Sequence, residues 1–289
     1  MSSSISIVIP AYNEEGAIID TINEIKQVCN NEMIYSYEII VVNDGSTDRT
    51  EEELKTTGVK IVNHPHNIGY GRSLKDGIQA AQYDTIVITD ADRTYPFDMV
   101  PALLSEYNKG FDMVVGARKG KHYKESLIKS SLRRILRFIV EFSAERKIPD
   151  INSGLRVFSK TQLMPILPKL CNTFSFTTSM TLAFMMTGKF VKYIDIPYNK
   201  REGKTKVKLF KDTLRTIQYI LQAINYYNPL KLFMIFAGFS ILLSFWFFVF
   251  GILIHWKTLI IFGIGSALLS LIILCVGLLA DSLKQVIDK

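Results

Sequence analysis

The sequence predicts an α/β domain on a mainly parallel sheet, followed by amphipathic juxtamembrane helices and a C-terminal two-helix transmembrane hairpin. Three observations carry that prediction. Short β-branched runs alternate with helical patterns through the first part of the chain. The first of these runs end in polar, acidic turns. The stretch from Leu232 to Ala280 holds almost no charge, whereas the part before it has ordinary globular composition.

Taken in order, Ser4–Pro10 (S-I-S-I-V-I-P) and Glu38–Val42 (E-I-I-V-V) read as buried strands, with Val59–Asn63 and Thr85–Thr89 (T-I-V-I-T) after them. Glu14–Cys29, Asp48–Thr56 and Tyr70–Gln82 read as the helices between. Such a parallel arrangement binds ligands at the carboxyl ends of its strands. The turns that matter are therefore Ala11-Tyr12-Asn13-Glu14, Asn43-Asp44-Gly45-Ser46 and Asp90-Ala91-Asp92. Asp112–Gly116 and Val191–Ile196 read as further strands. Ser126–Phe142 reads as a helix whose stripe is Ile128, Leu132, Ile135, Ile139 and Phe142, with Arg133, Arg134 and Arg137 off it. Thr213–Tyr227 repeats the pattern, with Leu214, Ile217, Leu221, Ile224 and Tyr227 on one face, and is expected at a membrane interface.

Two apolar stretches follow, Leu232–Ile254 and Thr258–Ala280, each near the ~20 residues that cross a bilayer core. Only His255-Trp256-Lys257 separates them, so they form a hairpin with Trp256 at an interface. The expected division is a domain over 1–211, a juxtamembrane helix over 212–231, and the hairpin with a short tail over 232–289. The first residues show no signal-peptide pattern, and basic residues precede the first span and follow the second. The domain and both termini are therefore expected on the cytoplasmic side. Cys29, Cys171 and Cys275 are widely spaced and imply no disulfide framework.

The net charge of +7 is localised. Ten Lys/Arg stand against three acids from Ala117 to Lys147, and seven against two from Asn199 to Arg215. These blocks suit phosphate-bearing partners: anionic membrane lipid, nucleotide or nucleic acid. A nucleic-acid partner is not expected, because the blocks adjoin the membrane segments and lack interleaved aromatic platforms. The ordinary alternative for any such charge run is a solvated surface.

The D-x-D of Asp90 and Asp92 carries the strongest chemistry. Standing after a buried strand, its two hard carboxylates suit Mg²⁺ or Mn²⁺, which leave positions for substrate phosphates. Alone, D-x-D is most often a surface turn; after N-D-G-S at the previous strand end it becomes specific. In the Asn43–Asp48 turn, Gly45 permits a tight bend, Ser46 or Thr47 caps the following helix, and Asp44 is left for a ribose or base. In Pro10–Glu14, Tyr12 is placed to pack on a base and Glu14 to accept a hydrogen bond. His64 and His66, flanking Pro65, read as loop residues.

These residues carry a resemblance. P-A-Y-N-E at Pro10–Glu14, V-N-D-G-S-T-D at Val42–Asp48 and D-A-D at Asp90–Asp92 resemble family-2 glycosyltransferases of the GT-A fold. I-P-D-I-N-S-G-L-R-V-F at Ile148–Phe158, F-S-F-T-T at Phe174–Thr178, R-E-G-K-T-K-V at Arg201–Val207 and N-P-L-K at Asn228–Lys231 narrow it. They are similar to polyprenyl-phosphate glycosyltransferases such as dolichol-phosphate mannose synthase and bacterial undecaprenyl-phosphate sugar transferases.

The resemblance implies an inverting transfer of sugar from a UDP- or GDP-linked donor to a polyprenyl phosphate, undecaprenyl or dolichyl. By it, Pro10, Tyr12, Glu14, Asp44 and Asp90 hold the nucleotide, and Asp90 and Asp92 hold the metal and diphosphate. Arg201 and Lys206 grip the donor phosphate, while Arg118 with Arg133 or Arg134 holds the acceptor phosphate. Two positions depart from the family pattern. Thr94 stands where many relatives have a Gln or Asn as a further metal ligand, and Asn43 replaces a carboxylate. Two other readings stay open: a different acceptor, such as a glycolipid or polysaccharide, and a non-catalytic nucleotide-sugar-binding subunit. The hairpin also offers a surface for pairing with copies of itself.

Overall fold

A computed structural model describes residues 4–31, 36–120, 137–199 and 209–287. Among these, seven strands form one sheet in the order β3-β2-β1-β4-β6-β5-β7. Strands β1 (Ile5–Ala11), β2 (Tyr37–Asn43), β3 (Lys60–Asn63) and β4 (Thr85–Ile88) are mutually parallel, joined through helices α1 (Ile18–Asn31), α2 (Thr50–Lys55) and α3 (Tyr70–Ala80). These are the βαβ units that the sequence pattern predicts. After α4 (Val100–Tyr107) come β5 (Met113–Lys119), β6 (Arg156–Ser159), the one-turn helix α6 (Lys160–Leu163) and, further on, β7 (Val191–Pro197). Strand β6 runs antiparallel between β4 and β5.

The continuous apolar character of β1 and β4 has a direct cause: both faces of the sheet are covered. Successive side chains alternate, so Ile5, Ile7 and Ile9 pack beneath α1 and α4, while Val8, Ile86 and Ile88 pack with α3 and with α7 (Phe176–Met186). Each such fully buried side chain contributes about 1.5–3 kcal/mol of transfer free energy.

A third apolar cluster joins this domain to the C-terminal helices. Val140 and Ala144 of α5 (helical at 137–144), Leu182 and Met185 of α7, and Ile220 and Ile224 of α8 (Leu209–Tyr227) meet Leu232 of α9 (Pro229–Leu253). The stripe expected on the basic helix is shifted where it can be compared. Phe142 faces outward and stacks on exposed Phe138 at 6.2 Å, while Val140, Ser143 and Ala144 face inward. The packing partner decides this: α5 meets α7 and α8 through small and β-branched side chains. On α8, Gln218 and Gln222 are exposed as expected, but Ile220 and Ile224 are covered by protein.

Helices α9 and α10 (Lys257–Ile287) are long and apolar enough to cross a membrane, with mean hydropathies of 2.3 and 2.8 over their most apolar windows. They pack side by side. Ser240 Oγ donates to Ser266 O at 2.8 Å and Ser244 Oγ to Gly263 O at 2.6 Å, so neither hydroxyl is left unpaired.

Candidate active site

The register places three strand ends on one edge of the sheet. Ala11 pairs with Asn43, and Val8 with Ile88, so the turns after β1, β2 and β4 open side by side. The first two are latched together. Asn13, at φ 52°, accepts from Thr47 N at 2.7 Å, its own N–H donates to Ser46 Oγ at 3.0 Å, and Glu14 N donates to Thr50 Oγ1 at 2.8 Å. Tyr12, Asn13 and Glu14 are half-buried on this rim, and Pro10 is the penultimate residue of β1. Asn43 explains its own departure from a carboxylate: its amide donates to Asn63 Oδ1 at 3.0 Å and accepts from Ser46 N at 3.1 Å, and a carboxylate cannot donate. The cap expected from Ser46 or Thr47 is not made: the N-cap of α2 is Arg49, Asp48 Oδ1 accepts from Thr50 N at 3.0 Å just beside it, and both hydroxyls serve the latch to Asn13.

Asp44 is buried and already engaged. His64 Nδ1 lies 2.8 Å from its Oδ1, which also accepts from Ile68 N at 3.0 Å, and Gly69 N donates to Oδ2 at 2.9 Å. The expectation that Asp44 stands free in the turn is therefore corrected: the β3–α3 connection wraps it.

That same connection reaches the third turn. Tyr70, at the start of α3, donates its hydroxyl to Asp90 Oδ1 at 2.9 Å. The Tyr70 side chain is partly exposed but its hydroxyl end is desolvated, which pushes the phenol well above its usual range, with the Asp90 charge adding to the effect. Asp92 is buried, and its Oδ1 accepts from Thr94 N at 3.2 Å and from Thr94 Oγ1 at 2.6 Å. Thr94, expected as a metal ligand, is fully buried and donates its hydroxyl to Asp92. Between the two acids, Ala91 O accepts from Thr21 Oγ1 at 3.0 Å, fixing the loop to α1.

The loop over residues 148–155 closes the site from the β6 side. Tyr95 Oη accepts from Gly154 N at 2.7 Å, and a Cβ at Gly154 would stand 2.9–3.1 Å from the Asp90 carboxylate. Glycine is thus required for that carboxylate to sit where it does. Fully buried Arg156 organises the loop, donating to Ser153 O at 2.8 Å, Ile151 O at 2.9 Å and Thr181 Oγ1 at 2.7 Å. Asp150 grips Arg118 in a two-pronged pair, 2.7 Å to Nε and 2.9 Å to Nη2, and also accepts from the Arg118 amide. Burial raises the Asp150 carboxyl, and the hydrogen bonds and charge of Arg118 more than offset this, holding it below the ordinary carboxylate range. Arg118, expected at the acceptor phosphate, is held by Asp150, and its guanidinium lies over the Tyr198 ring at 5.4 Å. Arg133, Arg134, Arg201 and Lys206 lie outside the described residues.

The residues present fit a divalent ion. Asp90 and Asp92 bring hard carboxylate oxygens to the turn after β4, and Gly154 lets the Asp90 carboxylate pack close against the 148–155 loop. Among the described residues, no group of three His, Cys, Asp or Glu side chains could hold a metal by itself. An ion here would take its remaining ligands from water and substrate phosphate, as Mg²⁺ commonly does. Sequence reasoning missed Tyr70, Tyr95, Gly154 and the part played by His64. The glycine-rich N-I-G-Y-G and N-S-G stretches signal Tyr70 and Gly154; no local pattern marks Tyr95 or His64.

Residues 6–166 match the model of the family described as Glycosyl transferase family 2. A dolichyl-phosphate hexose transferase of Haloferax volcanii is 27% identical over 208 residues, 71% of this chain and 87% of that one. An undecaprenyl-phosphate 4-deoxy-4-formamido-L-arabinose transferase of Pseudomonas fluorescens is 28% identical over 196 residues, 62% of this chain and 56% of that one, so this chain spans little more than half of that relative. The fold resembles glucosyl-3-phosphoglycerate synthase from Mycobacterium tuberculosis, solved with Mn²⁺, UDP-glucose and phosphoglyceric acid, with a TM-score of 0.63 at 20% identity over 77% of this chain and 80% of that one. With its strand-end acids on a GT-A-like mixed sheet and its match to the family model, the chain belongs to glycosyl transferase family 2.

Proposed function

We propose that the protein transfers a sugar from a UDP- or GDP-linked donor to a polyprenyl phosphate at the cytoplasmic face of a membrane, inverting the anomeric configuration. The observation that carries this reading is one continuous body. The acidic rim of Asp44, Asp90 and Asp92 belongs to a domain packed through α5, α7 and α8 onto the start of a long apolar helix. A site so attached suits an acceptor whose chain is dissolved in the bilayer. The relatives named for dolichyl and undecaprenyl phosphate support the acceptor class.

In this reading Tyr12 packs on the nucleobase, while Pro10, Glu14, Asp44 and Asp90 line the nucleotide's place. A Mg²⁺ or Mn²⁺ ion held by Asp90 and Asp92 would supply positive charge against the leaving diphosphate. Tyr70 and Thr94 hold those carboxylates in place, and Gly154, with no Cβ, allows the close approach of its loop to Asp90. Arg201 and Lys206 grip the donor phosphates, and Arg133 or Arg134 the acceptor phosphate. The acceptor oxygen is already anionic near neutral pH, so it attacks the anomeric carbon without a general base. The new bond joins that oxygen to the sugar as the bond from sugar to diphosphate breaks. The domain over 1–211, the linking helix over 212–231 and the hairpin over 232–289 would be the units of this arrangement.

The test is a transfer assay with protein in detergent, Mg²⁺ or Mn²⁺, undecaprenyl or dolichyl phosphate, and a panel of labelled nucleotide-sugars. Label entering the organic phase with one donor supports the reading. Label that stays wholly in water overturns the acceptor assignment.

A further inference from the structure

The β3–α3 connection, residues 64–70, is packed against the turn that carries Asp44. Its first amide, His64 N, donates to Asn43 O at 2.9 Å. Gly45, at φ 67°, lies so close that a Cβ would stand 2.5 Å from the His66 backbone. Within this seam the His64 side chain is only 8% exposed. Its Nδ1 lies 2.8 Å from Asp44 Oδ1, and its Nε2 lies 3.1 Å from Asp76 Oδ2 on α3, close enough for an ion pair though not aligned as a hydrogen bond. Asp76 in turn accepts from Arg72 Nε at 2.7 Å.

The reaction proposed above uses neither His64 nor Asp76. Burying an imidazole between two carboxylates is costly unless the groups satisfy one another. What the array fixes is Asp44. A carboxylate on a single methylene turns about two bonds, and three donors stop it: two backbone amides and the His64 ring. An imidazole held at one nitrogen still swings about its Cβ–Cγ bond, and Asp76 meets the other nitrogen.

We propose that His64 is a positioning residue for the nucleotide end of the site, holding Asp44 in its binding orientation and anchored to α3 through Asp76. This rests on the reading that Asp44 belongs to the nucleotide site. Of the three donors to Asp44, the ring is the one that substitution removes cleanly.

The test is calorimetric binding of UDP and of GDP, each with Mn²⁺, to full-length protein in detergent, followed by donor kinetics. His64→Asn puts an amide nitrogen where Nδ1 stands, His64→Gln reaches only toward Asp76, and His64→Ala removes both. For the nucleotide that the wild type binds, His64→Ala and His64→Gln are expected to weaken affinity about tenfold, as for loss of one hydrogen bond to a charged group. Donor KM should rise in step while kcat stays within about threefold, the pattern for loss of ground-state binding. His64→Asn should restore most of the affinity. Asp76→Asn, which leaves the Asp44 contact in place, should fall between wild type and His64→Ala and keeps the test open should the alanine variant not fold. His64→Ala with wild-type affinity overturns the inference. So does His64→Asn as weak as His64→Gln, with melting temperature falling in parallel. Wild-type protein that binds neither nucleotide overturns the functional reading, and this inference with it.

Discussion

Asp90 owes its position to two neighbours of opposite kind, the Tyr70 hydroxyl that binds it and the Gly154 Cα that makes way for it. Tyr70→Phe removes one hydrogen bond to a charged group, about 1.5–3 kcal/mol if the charge is not rehydrated. The expected result is a higher Mn²⁺ concentration for half-maximal transfer, with the melting temperature lower by several degrees. A Mn²⁺ titration followed both by activity and by the spin resonance of free Mn²⁺ checks it. Gly154→Ala should be harsher, because the added methyl meets the carboxylate within van der Waals range. A fall of more than about tenfold in kcat/KM is expected, since misplacement of roughly an ångström can cost 100-fold. At Asp150 the issue is stability. Removing one partner of a buried ion pair costs about 3–5 kcal/mol, so Asp150→Ala should lower the unfolding free energy by that order. The sign of the pH dependence follows from the lowered Asp150 carboxyl. Its contribution is complete above its unfolded pKa, about 3.9, and is lost as pH falls through the lower folded value. Denaturant unfolding should therefore show stability declining below about pH 4, and less steeply in Asp150→Asn.

At the scale of elements, two lysines reinforce the apolar junction with the C-terminal helices. Lys231, in the first turn of α9, donates to Ser143 O at 3.1 Å and pairs with Glu145, so it caps the end of α5. Lys284, near the end of α10, donates to Tyr227 O at the end of α8. Cations at helix C-termini satisfy carbonyls that have no partner within the helix and oppose the dipole. Lys231→Met should cost about 1 kcal/mol of stability. On the proposed reading, in which the acidic rim faces the membrane, KM for polyprenyl phosphate should rise while nucleotide affinity stays unchanged. Kinetics at varied acceptor, beside nucleotide calorimetry, separates the two effects.

At the scale of the whole molecule, what the sequence makes legible is what local pattern encodes. Strands β1 to β4 are marked by β-branched runs, the rim by acids placed just after them, and the C-terminal helices by length and lack of charge. Strand β6 was hidden because its four residues begin with an arginine, and no periodicity announces that a guanidinium will be fully buried on backbone carbonyls and a threonine. Helix α7 was hidden because it is buried on every side, which leaves no amphipathic stripe to read. The supports of the site were hidden because they act across long stretches of chain: Tyr70 on Asp90, Tyr95 on Gly154, Arg118 on Asp150. Motifs mark the strand-end acids; the tertiary fold shows the residues that hold them.

The most direct test is transfer in liposomes that contain the protein and polyprenyl phosphate, with labelled nucleotide-sugar and Mn²⁺ supplied only outside. Sugar should appear on the lipid, depend on the metal, and vanish in Asp92→Asn while that variant keeps its melting temperature. Transfer that is indifferent to chelation and to Asp92→Asn would contradict the account.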